Sequence, residues 1–253
     1  MVSPGKRIFK DFSSGKGGNV VTFLMEHEHL SYPEALRWLA NKYQIEIQEE
    51  APNEEQLEEK NKREGLYLAH QFANDFFKHQ LLNTDEGKSI GLTYFKKRGY
   101  HLQTMENFSL GYSPEKSNAL AEKAIAEKYN LDALIESGII KKNEKGHYDF
   151  FRGRVIFPIQ NLTGRIIGFG ARTLKSDKNI AKYFNSPESK IYNKSQVLYG
   201  LYQSKNEIIK NDLCYLVEGY TDVISLHHNG IKNVVASSGT SLTAVSYTHL
   251  TLP

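Results

Sequence analysis

The chain has 253 residues, 40% of them hydrophobic and 24% charged, with a formal net charge of +3 at pH 7. That composition is ordinary for globular proteins, enough for one large or two modest domains, and the net charge is too small to name a partner. No apolar run approaches membrane-spanning length and no signal peptide opens the chain, so a cytoplasmic protein is expected.

Residues 1–48 open basic, with Lys6, Arg7, Lys10 and Lys16. Gly15-Lys16-Gly17-Gly18 is turn-rich, but its spacing and its lack of a following Ser or Thr exclude a Walker A loop. Asn19 is placed to cap a helix running through Val20, Phe23 and Leu24. Ser31-Tyr32-Pro33-Glu34 starts a second helix as a capping box, and Leu36, Leu39, Ala40 and Tyr43 follow at helical spacing. Residues 49–64 are Glu-rich and read as a linker or a solvated helix start. From Gly65 the pattern turns helical, with Leu68, Phe72, Ala73, Phe76 and Phe77 making an amphipathic face. Further helical segments are expected at residues 90–99 and near 116–137.

Residues 149–200 change character. Arg154-Val155-Ile156-Phe157-Pro158-Ile159 reads as a strand, residues 161–164 as a turn, and Arg165-Ile166-Ile167-Gly168-Phe169-Gly170 as the hairpin partner. Between Arg152 and Lys194 stand nine Lys or Arg residues against Asp177 and Glu188, so this stretch carries +7 and the remainder −4. Phe169, Tyr183, Phe184 and Tyr192 are interleaved with the cations. Phosphate pairing and base stacking on such a surface suit single-stranded nucleic acid or nucleotides; a solvated basic face with inward aromatics accounts for the charge alone equally well.

Residues 213–222 organise the last third. An apolar run, Leu213-Cys214-Tyr215-Leu216-Val217, reads as a buried strand, with Cys214 as a core thiol that excludes a disulfide framework. A helix is expected from Tyr220 to Asn229, with Gly230 after it, and then a second strand at Val234-Val235-Ala236. This is one parallel β-α-β unit. Glu218 falls at the carboxyl end of its first strand, where open α/β sheets hold ligands, and Asp222 lies one helical turn on. Such a pair suits a divalent metal or acid–base chemistry, or serves merely as first-turn carboxylates favoured by the helix dipole.

Val217-Glu218-Gly219-Tyr220-Thr221-Asp222-Val223 resembles the first motif of the Toprim domain in the form used by bacterial replicative DNA primases. Other segments follow in that family's order. Ile8-Phe9-Lys10, Gly15-Lys16-Gly17-Gly18-Asn19 and Phe23-Leu24-Met25 resemble the second half of its zinc-binding domain. Tyr94-Phe95, Arg98-Gly99 and Phe108-Ser109-Leu110-Gly111-Tyr112 resemble the amino-terminal part of its polymerase core. Gly168-Phe169-Gly170-Ala171-Arg172, Lys182-Tyr183-Phe184-Asn185-Ser186-Pro187-Glu188 and Leu198-Tyr199-Gly200-Leu201 continue the match to about residue 243.

The resemblance implies a mixed α+β and α/β fold: a helical and small-β amino-terminal subdomain followed by a partial Toprim α/β domain. Its divisions would be a zinc-domain remnant (1–48), a linker (49–64), a core subdomain with a basic ridge (65–205) and the start of Toprim (206–243). It implies metal-dependent synthesis of short RNA primers on single-stranded DNA from ribonucleoside triphosphates, with Mg2+ or Mn2+ held by Glu218 and supported by Asp222. Arg154, Arg172, Lys182, Asn185 and Lys194 would bind template and nucleotide. The family's second zinc-ligand pair falls on Asp11 and Ser14, neither of them cysteine, so zinc is not expected. The family's downstream Asp-x-Asp and its helicase-binding domain are missing, residues 244–253 read as a non-native tail, and the fragment itself is expected to be inactive. A noncatalytic single-stranded nucleic-acid-binding protein on a Toprim scaffold is the alternative.

Overall fold

In the computed structural model, residues 1–12, 15, 17–28, 32–45, 53–144, 146–175 and 181–237 are described. Contacts divide the chain into two units, Met1–Glu55 and Gln56–Pro253.

In the first unit, strands β1 (Val2–Ser3), β2 (Ile8–Lys10) and β3 (Gly17–Gly18) form one antiparallel sheet in that order. Helix α1 (Val20–His27) starts as its sequence predicts, with Asn19 Oδ1 accepting the Thr22 N–H at 3.0 Å. Helix α2 spans Tyr32–Tyr43; Ser31 of the predicted capping box lies outside the described residues. Phe9 packs edge-on against Phe23, and Leu24, Ala35 and Ala40 are buried.

The second unit opens with helix α3 (Glu54–Asn83), which begins eleven residues before the predicted Gly65. The Glu-rich stretch is its solvated start, supported by an i,i+4 ion pair between Glu58 and Lys62. Its later turns bury Leu66, Ala69, Ala73, Phe76, Phe77 and Leu81. A π-helical turn, Gly87–Leu92, follows and runs into α4 (Thr93–Lys97). Gly87 is obligatory there, because a Cβ would fall 1.8 Å from the Gln80 carbonyl oxygen. Helix α5 (Leu102–Asn107), strand β4 (Gly111–Ser113), helices α6 (Ala119–Ala126) and α7 (Leu131–Glu136), and the hairpin β5 (Ile140–Asn143) with β6 (Gly146–Asp149) come next. Asp149 is buried and caps α6, accepting the Leu120 and Ala121 N–H groups at 2.8 and 3.1 Å. Burial pushes its carboxyl up to about 6 despite those two bonds.

The predicted hairpin is present as β7 (Arg154–Gln160) and β8 (Ile166–Thr173). Asn161 Oδ1 closes its turn by accepting the Thr163 and Arg165 N–H groups, both at 3.0 Å. With β4 and β9 (Tyr183–Asn185) these strands form an antiparallel sheet ordered β4-β7-β8-β9. The two sides of the sheet belong to different cores. Val155, Phe157 and Ile159 join Leu81, Phe95 and Tyr112 on one side, and Ile156, Phe169 and Ala171 join Ala73, Phe77 and Leu120 on the other.

The chain closes its described part with β10 (Leu198–Tyr199), α8 (Leu201–Asn211), β11 (Tyr215–Val217), α9 (Tyr220–His228) and β12 (Val234–Ser237). β11 runs parallel to β12 and β10 antiparallel, in the order β10-β12-β11, so the predicted β-α-β unit is present. Gly230 follows α9 with φ +92°, the left-handed conformation of a helix-ending glycine. Two expectations need correction. The run 213–217 is not a buried strand: β11 is the sheet's edge among the described residues, and Leu213, Tyr215 and Leu216 are exposed. Cys214 precedes that strand and is half-buried rather than a core residue, although burial still pushes its thiol up to about 11. No described helix is long and apolar enough to cross a membrane.

Candidate active site

The site grows from the end of β11. Its three residues stop at Val217, Glu218 follows exposed to solvent, and Gly219 caps α9. Asp222 closes that first turn, its Oδ2 accepting the Gly219 N–H at 3.1 Å. The next motif residue, Tyr220, points the other way. Its ring stacks on Tyr199 at 4.2 Å between centroids and lies against Gly170 of β8, where a Cβ would fall 2.2 Å from Tyr220 Cε2. The Tyr220 hydroxyl donates to Asn185 Oδ1 at 3.1 Å. Helix α9 is also tied to the region before α5: the Tyr100 hydroxyl donates to the Thr221 carbonyl and is bonded to Ser225 Oγ, both at 2.9 Å.

These contacts form a crevice of about 380 Å3 lined by Tyr183, Asn185, Glu218, Gly219, Tyr220, Thr221, Asp222 and Ser237. Three residues singled out from sequence, Asn185, Glu218 and Asp222, therefore meet in one place although they come from two sheets. Register explains the meeting. Opposed residues share a sheet face, so the Gly170↔Asn185 and Arg172↔Tyr183 pairs present Arg172, Tyr183 and Asn185 on the side where Tyr220 packs.

Arg154 lies on the opposite side, because it pairs with Thr173, one position out of phase with Arg172. It is buried, donates from Nη1 to the Ala181 carbonyl at 3.1 Å, and its guanidinium sits 4.1 Å above the Phe184 ring. Burial draws its pKa below the usual arginine value. A second cleft of about 350 Å3 opens there, lined among others by Arg152, Arg154, Lys175, Glu115 and Phe184. Lys182 is exposed just ahead of β9, its carbonyl accepting the Thr173 N–H at 3.0 Å. Lys194 is half-buried in the 3-10 turn Lys194–Gln196. The five predicted binding residues are thus spread over two faces rather than set in one row. Of the interleaved aromatics, Phe169 and Tyr192 are core, whereas half of Tyr183 remains exposed in the crevice.

Sequence reasoning missed Tyr220 as the link to Asn185, and also missed Tyr100 and Tyr94. Their only local signal is an aromatic flanking a motif, and what gives them a role is packing against residues far away in the chain, such as the glycine at 170.

The family described as DNA primase catalytic core, N-terminal domain, matches residues 76–205; the Toprim domain matches 212–249; and the CHC2 zinc finger matches 1–55. A DNA primase of Halalkalibacterium halodurans is 42% identical over 246 residues, which are 96% of this chain and 40% of that protein. The crystal structure of the Aquifex aeolicus primase zinc-binding and RNA polymerase domains is similar with a TM-score of 0.67 and 36% identity, over 97% of this chain and 57% of that one. A primase catalytic domain bound to single-stranded DNA gives a TM-score of 0.68 at 36% identity, over 75% of this chain and 60% of that one. The chain spans less than half the length of the curated relative.

The zinc-finger match corrects the expectation that zinc is absent: zinc binding is suggested for residues 1–55. Asp11 and Ser14 stand where the family's second ligand pair falls, yet the match extends over the whole segment rather than resting on those two positions. Asp11 is described and Ser14 is not, and among the described residues no group of three His, Cys, Asp or Glu side chains is gathered to hold a metal, so no chemistry below is routed through zinc. Matched by the primase-core description over more than half of its residues, with the Toprim and zinc-finger matches on either side of it, the chain belongs to the DNA primase catalytic-core family.

Proposed function

We propose that the complete gene product joins ribonucleotides into short RNA primers on a single-stranded DNA template, and that the crevice at Glu218 is where the nucleotide reacts. The observation that carries this reading is the convergence of Glu218, Asp222, Asn185 and Tyr183 on one crevice, with Arg172 on the same sheet face. A carboxylate pair to hold a cation against the phosphates, an amide as a polar edge and an open aromatic face as a stacking surface are the groups a nucleotide needs.

The donor set fits a hard divalent cation. Mg2+ binds through one or two carboxylates together with substrate phosphates, and Glu218 and Asp222 both open onto the crevice. Bound there, Mg2+ or Mn2+ would neutralise charge on the reacting phosphate oxygens. The protein's own part is positional. Asp222 fixes the first turn of α9 through the Gly219 N–H and so fixes where Glu218 stands. Tyr220 holds Asn185 against the same helix. Arg172 and Lys182 pair with phosphates, and Tyr183 stacks a base. Arg152, Arg154 and Lys175, with Phe184 among them, suit the template backbone in the second cleft, and Lys194 offers a further cation for a phosphate.

The test is a primer-synthesis assay on the complete gene product, with single-stranded template, labelled ribonucleotides and Mg2+. Short RNA that depends on both template and metal is expected. A protein that binds the template but makes no RNA under any divalent cation would overturn the proposal in favour of a binding role.

A further inference from the structure

Glu115 stands two residues past β4 and turns its carboxylate into the second cleft. Three cations line that cleft, Arg152, Arg154 and Lys175, and Glu115 is the one carboxylate among its described lining residues. Its Oε1 accepts from Lys175 Nζ at 2.6 Å. Its Oε2 lies against the backbone of Gly153, the residue between the two arginines: a Cβ there would fall 2.2 Å from that oxygen. Gly153 has φ +63°, so both its conformation and the carboxylate resting on it call for glycine. The same charge reaches Arg154: burial lowers the Arg154 pKa, and Glu115 opposes that shift.

The backbone beneath this side chain is tied down. The Glu115 N–H donates to Glu86 Oε1 at 2.8 Å, and that oxygen also accepts the Tyr112 hydroxyl at 2.9 Å. The Gly153 N–H donates to the Pro114 carbonyl at 2.9 Å. The fold therefore sets where Glu115 enters the cleft and leaves only its side-chain torsions to change. The side chains of Glu115 and Lys175 are 54% and 53% exposed, and an ion pair so exposed contributes little to stability. Its placement has a different consequence. The carboxylate takes the position on Lys175 that a phosphate oxygen would take, and a phosphate seated nearby would meet a like charge.

We infer that Glu115 is a built-in competitor for the nucleic-acid backbone: its carboxylate holds Lys175 until a phosphate displaces it, and so limits how tightly the second cleft binds single-stranded template. This rests on the proposed template reading of that cleft. Glu115 touches no reacting group; it sets affinity, and it does so by opposing binding.

Glu115→Gln removes the charge and keeps the shape, and Glu115→Asp keeps the charge on a shorter side chain. Arg152→Ala reports whether the cleft binds template at all, and Glu115→Gln is also combined with Lys175→Ala. All are made in the complete gene product. Affinity for a fluorescent oligo(dT) is measured across a salt series, with melting temperature as a folding check. Glu115→Gln is expected to tighten binding by roughly 3- to 10-fold at low salt and to steepen the salt slope by ~0.7, the equivalent of about one single-strand phosphate contact. Its melting temperature stays close to the parent, and Glu115→Asp falls nearer the parent in affinity than Glu115→Gln does. With Lys175 replaced by alanine, the gain from Glu115→Gln shrinks, because the cation it releases is gone. A purely structural role gives the opposite sign: binding weakens and melting temperature drops together. If Arg152→Ala weakens binding while Glu115→Gln leaves affinity unchanged or lowers it, the competitor role is wrong and the template reading stands. If Glu115→Gln tightens binding equally with and without Lys175, the carboxylate acts only as a diffuse charge and the competition for Lys175 is wrong. If Arg152→Ala changes nothing, the failure lies with the template reading of the cleft, and the inference falls with it.

Discussion

Two sheets of the second unit, β4-β7-β8-β9 and β10-β12-β11, share apolar strand sequences and differ in what covers them. In β4-β7-β8-β9, the central strands β7 and β8 are buried on both sides, by α3 and α6 on one face and by the α4–α5 region and α9 on the other. In β10-β12-β11, Val234, Val235 and Ala236 of β12 are fully buried, yet Tyr215 and Leu216 of the edge strand are open to solvent. Both sheets are built from runs of the same kind of residue. Burial follows from the number of covered faces, not from the composition of the strand. Glu218, the carboxylate to which we assign the chemistry, sits one residue past the exposed edge strand of the open sheet, while the covered sheet holds Arg172, Tyr183 and Asn185 in fixed register.

Removing an aromatic from the covered sheet tests this contrast most strongly. Phe157→Ala deletes a ring with no exposed surface at the centre of the core, and a loss of ~3–5 kcal/mol is expected in urea unfolding. A comparable effect comes from pH. The carboxyl of Asp149 stands near 6 when folded and about 3.9 unfolded, so the folded state holds the extra proton between those values. Its contribution to stability is therefore fully present below about pH 4, declines as pH rises to about 6 and is level above that. Comparing unfolding of the parent with Asp149→Asn across pH 4–7 isolates this component, expected at up to ~3 kcal/mol; parallel curves would remove it. Gly170→Ala drives a methyl into the Tyr220 ring, with an expected cost of ~1–3 kcal/mol and loss of the Tyr220–Asn185 hydrogen bond. At the bottom of the scale, Leu216→Ala on the open edge should change stability by no more than ~0.5 kcal/mol. A large loss there would mean that the open sheet is covered after all.

Much of this architecture was legible from residues alone. Asn19 marked a helix start, the turn at 161–164 marked a hairpin, and Gly230 separated α9 from β12, because each of these signals is local. The pairing of Glu218 with Asp222 was legible for the same reason, being a strand end followed by one helical turn. Other features depend on register and on distant partners. Arg154 and Arg172 face opposite ways because of the β7–β8 pairing, whose register shifts between Ile159 and Gln160. No spacing between basic residues reveals that shift. Tyr220 turns inward because Gly170, fifty positions earlier, leaves room for its ring. At residues 1–55, Asp11 and Ser14 point away from zinc, whereas the family match over the whole segment suggests it.

The central claim is that the crevice performs chemistry while the basic faces perform binding. Glu218→Gln in the complete gene product tests it most directly, since the amide keeps the shape and polarity of the side chain and removes its charge. Primer yield, template affinity and melting temperature are measured on the same preparation. The account predicts primer synthesis reduced below detection, with template affinity and melting temperature close to the parent. If Glu218 is only a helix-start carboxylate, the change costs at most ~1 kcal/mol of stability and leaves primer synthesis normal; that result would contradict the account.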